Sequence, residues 1–195
     1  MLRRQAIAGV KLGLLLAVAL LASLALSGRA SPETGQPGAA PSEYQVKAVF
    51  VYNFSHFVAW PSAAFAASDQ PFVIGIVGQD PFGSHLDEAV RGEHVNAHPL
   101  VVRHVTDLSD VGQCQILFID RSEAAQLDRI LSAVDHHSTL TVSDLQGASR
   151  RGVMIQFETL DQRIRLRINP SSARSAGLTI SAPLLQLAQI DRTEE

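Results

Sequence analysis

The sequence predicts an α/β fold: one three-layer domain with a mainly parallel sheet and a C-terminal β-hairpin. Three observations carry this. Short, continuous apolar runs at Phe72–Val77, Leu100–Val105, Gln115–Ile119 and Leu140–Val142 are separated by helix or turn signals, as expected of strands buried on both faces. Two later segments, Val153–Glu158 and Arg163–Ile168, change to an alternation of period two, the mark of strands with one face in the core. About 165 residues follow the N-terminal leader, enough for one domain with a sizeable core.

The leader reads Met1-Leu-Arg-Arg, an apolar run from Leu12 to Leu26, then Ser27-Gly-Arg-Ala30. Arg3, Arg4 and Lys11 give it a positive start, and the run is short for a bilayer span, which needs about 20 residues. Residues 1–30 therefore read as a secretion signal, with Gly28 and Ala30 at the cleavage subsites and Ala25 or Ser27 as other cut points. The alternative is an uncleaved anchor. Residues 31–41, rich in Pro and Gly without apolar periodicity, read as a flexible tether ahead of the domain at 42–195. Residues 1–30 hold four basic residues and no acidic one, so the rest carries 12 Lys+Arg against 19 Asp+Glu, a net charge of −7. That balance argues against nucleic acid, whose phosphates need a basic footprint.

Ser42 is placed to cap a helix over Glu43–Trp60, stopped by Pro61. Val46, Phe50, Phe54 and Phe57 form one stripe of it, and Tyr44, Val51 and Val58 widen that stripe to nearly half the circumference. A helix that only covers a sheet needs less. Phe50, Phe54 and Phe57 are expected to pack inward, and Tyr44, Val51 and Val58 to face a partner or the second copy of a homodimer. After the strand Phe72–Val77 comes the loop Gly78-Gln-Asp-Pro-Phe-Gly83, where a doubly wound fold places a ligand loop. Asp80, Pro81, Phe82 and Gly83 are its candidate small-molecule residues; the alternative is that Asp80-Pro81 only starts a short helix near Phe82–Val90. His94–His98 reads as a loop, and Ser122 as the cap of a helix over Glu123–Val134.

Folding the period-two segments about Leu160-Asp161 puts Val153 opposite Ile168, Ile155 opposite Leu166 and Phe157 opposite Ile164. The other face then holds Glu158 against Arg163, Gln156 against Arg165 and Met154 against Arg167. Arg163, Arg165 and Arg167 form a basic ladder, read as a solvated face partly paired with Glu158, or alternatively as an anion or partner site. Asn169-Pro170 turns the chain into a short helix that Gly177 stops, and Ser181 and Pro183 open a last helix carrying Leu184, Leu185, Leu187 and Ile190.

The chain has no Walker loop, no G-x-S-x-G elbow, no H-E-x-x-H and no C-x-x-C, so no catalytic residue, cofactor or metal is assigned. None of the seven histidines has ligand-like spacing with an acidic or thiolate partner. Cys114 is the only cysteine, which rules out an intramolecular disulfide and leaves it as a small buried hydrophobe.

Several blocks in order resemble one family. They are Glu43-Tyr-Gln-Val-Lys-Ala-Val-Phe-Val-Tyr-Asn-Phe-Ser-His-Phe-Val-Ala-Trp-Pro61, Ile74-Gly-Ile-Val-Gly-Gln-Asp-Pro-Phe-Gly83 and Gln113-Cys-Gln-Ile-Leu-Phe-Ile119. Leu140-Thr-Val-Ser-Asp144, Ile168-Asn169 with Ala173, Ala176-Gly-Leu-Thr-Ile-Ser181 and Leu184-Leu185 follow. Each block is weakly specific, but together they resemble the YfiR-like family over nearly all of residues 43–190. The resemblance implies a periplasmic regulator rather than an enzyme, one that binds and represses an inner-membrane partner of the diguanylate cyclase type. Similar domains also serve as sensor modules, so a small-molecule-binding role is the alternative. The single cysteine departs from the family's namesake and removes intramolecular disulfide control.

Overall fold

The computed structural model describes residues 41–191; the expected signal at 1–30 and residues 31–40 of the expected tether lie outside them. The elements run α1 (Glu43–Phe57), β1 (Val58–Ala59), β2 (Phe72–Val77), α2 (Ser84–Val90), β3 (His94–Val95), β4 (His98–His104) and β5 (Ile116–Ile119). They continue with α3 (Leu127–Val134), β6 (Leu140–Ser143), β7 (Ile155–Leu160), β8 (Arg163–Ile168), α4 (Pro170–Ser175), β9 (Thr179–Ile180), α5 (Ala182–Gln186) and β10 (Ala188–Ile190). Eight strands form one sheet in the order β10-β8-β7-β6-β5-β2-β4-β3, and β1 pairs with β9 separately. From β4 to β7 every pairing is parallel; β8 is antiparallel to β7, and β3 to β4.

The runs of β2, β5 and β6 are buried on both faces, as their composition requires, whereas β4, nearer the sheet edge, leaves Arg103 and His104 exposed. Ile74, Ile76, Ile116, Phe118 and Val142 pack with Val51 and Phe54 of α1, Leu86 and Val90 of α2, Ala173 of α4 and Leu184 of α5. The intervening Val73, Val77, Leu117 and Ile119 pack on the other face with Leu127, Ile130 and Val134 of α3. From β7 onward that second face loses its apolar cover: Gln156, Glu158 and Leu160, with Arg163, Arg165 and Arg167, belong to neither cluster. Gly75, mid-strand in β2, has a reason of its own: a Cβ there would lie 2.5 Å from Cys114 Sγ.

Five local expectations need correction. Helix α1 ends at Phe57 rather than Trp60, because Val58 and Ala59 leave to pair with Ile180 and Thr179, and the Ser181 amide donates to the Phe57 carbonyl at 2.9 Å. His94–His98 is a tight hairpin rather than a loop, turned by Asn96 at φ 55°. Asp120, not Ser122, starts the next segment: its carboxylate accepts from the Ser122 amide at 2.8 Å and caps a 3₁₀ turn, and Gln126 breaks the backbone before α3 begins at Leu127. The last helix stops at Gln186 because Ala188–Ile190 find backbone partners along the edge of β8.

The fifth correction is the hairpin register. The turn is Asp161-Gln162, with both residues in the left-handed region at φ 50° and 59°, the backbone of a two-residue type I′ turn. Ile155 pairs with Ile168, Phe157 with Leu166, Glu158 with Arg165 and Leu160 with Arg163. The slip from the expected register is two residues, so every side chain keeps its predicted face but meets a different neighbour.

Candidate functional site

Two features lie together at the carboxyl ends of the parallel strands. The chain passes from β2 to β4 on one side and then to β5 on the other, so the strand order reverses at β2, the place where open α/β sheets form ligand crevices. A cleft of about 610 Å³ opens there. Val77, Val105, Leu108 and Ile130 supply apolar wall, and Gln79, Thr106, Ser122, Gln126 and Arg129 supply polar groups. Gly78, at φ 91°, lets the loop approach: a Cβ would lie 2.6 Å from Ser122 Oγ, which accepts from the Gln79 amide at 3.2 Å.

The expected ligand loop enters this cleft through Gly78 and Gln79, and none of Asp80, Pro81, Phe82 and Gly83 lines it. Asp80 Oδ1 accepts from the Phe82 amide at 2.8 Å, and Gly83 at φ 56° leads into α2. Phe82 is core, edge-on to Phe118 at 4.7 Å and to Tyr44 at 6.0 Å between centroids. These four residues build the entry of α2.

Beside the cleft, α1 carries a buried charge onto the same edge. Lys47 and the Asp144 carboxylate are each 1 % exposed. Asp144 Oδ2 accepts from Lys47 Nζ at 2.9 Å, from Tyr44 Oη at 2.8 Å and from Arg121 Nη2 at 2.6 Å. Lys47 also pairs with Glu43, which accepts from Thr159 Oγ1 at 2.9 Å, so the network runs from α1 to the ends of β5, β6 and β7. Burial pushes the Asp144 carboxyl up, but the bonds from Arg121 and Lys47 outweigh it, and its pKa falls below the usual aspartate value. Burial, followed by the hydrogen bond to Asp144, raises the Tyr44 phenol to about 12. The other oxygen, Asp144 Oδ1, is buried without a hydrogen-bond partner among the described residues. With a neutral phenol and a paired lysine, the cluster orients and holds; nothing in it resembles an activated nucleophile and base.

Other site expectations separate. Tyr44 joins the cluster, but Val51 and Val58 are 0 % and 6 % exposed, inside the core, and are no partner face. The buried side of α1 is Lys47, Ala48, Val51, Phe54 and Ser55. Phe57, expected inside, is 39 % exposed, and Val49 is 52 % exposed. Arg167 is no solvated rung; it is ion-paired with Glu158 and Asp191, both at 2.8 Å. The sequence reading missed Lys47, Arg121 and Asp144. A lysine between Tyr44 and Val51, on an otherwise apolar helix face, was the available signal for the first.

The fold is similar to the solved structure of a conserved domain protein from Vibrio cholerae O1 biovar El Tor str. N16961, with a TM-score of 0.52. The likeness covers 77 % of this chain at 13 % identity, and the chain spans 60 % of that protein's length. At that identity it is a likeness of fold. No curated protein sequence matches the chain. Residues 44–189 match the sequence profile of the YfiR/HmsC-like proteins, DUF4154, and the chain belongs to that family.

Proposed function

We propose that this protein is a periplasmic regulator that binds the periplasmic part of an inner-membrane diguanylate cyclase and holds it inactive, with envelope conditions shifting the equilibrium. The family match over residues 44–189 carries the reading, since YfiR-like proteins are periplasmic regulators rather than enzymes. The site supports it by its character: a paired charge cluster that fixes α1 against the strand ends suits a binding scaffold. Among the described residues no helix is long and apolar enough to cross a membrane, and export through a cleaved signal at residues 1–30 is part of the proposal. On α1 the exposed Val49 and Phe57, rather than Val51 and Val58, are the apolar side chains open to a partner or a second copy.

Deleting the gene should raise cellular cyclic-di-GMP, and the full chain should restore it while residues 31–195 without the leader should not. Unchanged cyclic-di-GMP in the deletion strain contradicts the reading. A second reading, a small-molecule sensor, is favoured by the cleft at the strand-order reversal. A thermal shift with a metabolite alone, abolished by Gln79→Ala with Arg129→Ala, supports that role; a shift only with the protein partner opposes it.

A further inference from the structure

The turn at Asp161-Gln162 decides which arginines of β8 keep a free charge. Because Glu158 stands opposite Arg165 and Gln156 opposite Arg167, the Glu158 carboxylate reaches diagonally, and Oε1 accepts from Arg167 Nε at 2.8 Å. Arg167 also donates to Asp191 Oδ1 at 2.8 Å and to Gln189 Oε1 at 3.0 Å. Two carboxylates are thereby taken up by one arginine. Arg163 and Arg165 are exposed and have no ion-pair partner among the described residues. Leu160, 51 % exposed, pairs directly across from Arg163 and so shares its face. In the expected register Glu158 would have neutralised Arg163; in the observed one it does not.

We propose that the outer face of the β7–β8 hairpin, formed by Leu160, Arg163 and Arg165, docks an acidic segment of a protein partner. Carboxylates of that segment take the two guanidinium groups, which suit them bidentately, and an apolar side chain covers Leu160. The proposal rests on the partner-binding reading above and names the surface and chemistry it uses. Charge complementarity singles out this face. The chain beyond residue 30 has a net charge of −7, so two arginines side by side on one strand face, with no ion-pair partner among the described residues, are a local exception that complements an acidic partner. An anionic bilayer is the poorer occupant. Surface adsorption takes clusters of about 4–8 basic residues, and the acidic remainder of the chain opposes it.

The test uses the full mature chain and the purified periplasmic domain of a membrane-anchored diguanylate cyclase from the same organism. Arg163→Glu with Arg165→Glu should weaken binding by about tenfold or more, and raising salt from about 50 to about 300 mM should weaken the wild type but not the variant. Arg163→Lys with Arg165→Lys keeps the charge but loses the bidentate fork, and should weaken binding by less than the charge reversal does. Arg91→Glu with Arg174→Glu makes the same change of charge on the α2 and α4 side and should leave binding within about twofold. If the wild type binds and the Arg163→Glu/Arg165→Glu protein binds equally well, the surface is wrong and the partner reading stands. If the wild type binds no cyclase domain, that reading fails and a second arm decides the surface. A photo-crosslinking amino acid in place of Leu160, activated in intact cells, should give an adduct whose mapped peptide is rich in Asp and Glu. Adducts with phospholipid, or with no protein, overturn the proposal.

Discussion

Lys47 and Asp144, 97 positions apart in the chain and each 1 % exposed, meet at 2.9 Å and tie the first helix to the end of β6. A buried pair of this kind resists the loss of one member more than the loss of both, because the survivor keeps its desolvated charge. Lys47→Met alone should destabilise the protein by about 3 kcal/mol, the low end for such pairs because Arg121 still serves Asp144. Lys47→Met with Asp144→Leu should cost less than the sum of the two single changes. Urea unfolding of the three variants reads the coupling directly; additive losses would mean the pair contributes nothing as a pair.

The same carboxylate sets an acid limit. Its folded pKa lies below the ordinary aspartate value of about 3.9, so its contribution is fully present above that value and is lost as pH falls through the depressed one. The stability difference between wild type and Asp144→Asn should be constant above about pH 5 and shrink below about pH 4. A difference that holds unchanged to about pH 2 would show that folding leaves the Asp144 pKa at its unfolded value, and one that grows in acid would show that the carboxyl is protonated in the folded protein.

Cys114 and Gly75 form a second coupled pair. The thiol is buried, and burial pushes its pKa to about 11, so iodoacetamide at neutral pH should label Cys114 only after unfolding. Gly75→Ala drives a methyl toward Cys114 Sγ at 2.5 Å and should cost about 1–3 kcal/mol, part of which Cys114→Ala in the same chain restores. Rapid labelling of the native protein, or no rescue, would contradict this packing.

The β7–β8 turn predicts a gain. Gln162 sits at φ 59°, where a side chain is strained and glycine is not, so Gln162→Gly should stabilise the fold by about 0.5–1 kcal/mol. Thermal unfolding checks the sign. A loss of stability would mean that the hairpin closes on another turn.

Much of this was legible in the chain. Phe72–Val77 and Ile116–Ile119 announce themselves because a parallel strand buried on both faces has no polar position to spare. Period two likewise fixed the faces of β7 and β8, but it could not fix their register, because a slip of two residues preserves every face. Only the backbone of Asp161 and Gln162 decides it, and neither is the glycine that usually marks such a turn. The charge cluster was less visible because Asp144 and Arg121 become neighbours only when β5 and β6 lie side by side. Val51 and Val58 were misplaced outward because an apolar stripe wider than one contact face does not say which edge is buried.

Repression by contact is read out by reconstitution. The full-length membrane cyclase, in detergent or nanodiscs, is assayed for cyclic-di-GMP formation with and without the mature protein at equal total protein. Added protein should lower the rate in a saturable manner, and the Arg163→Glu/Arg165→Glu form should require about tenfold more to do so. An unchanged rate at concentrations where the two proteins form a complex would contradict it.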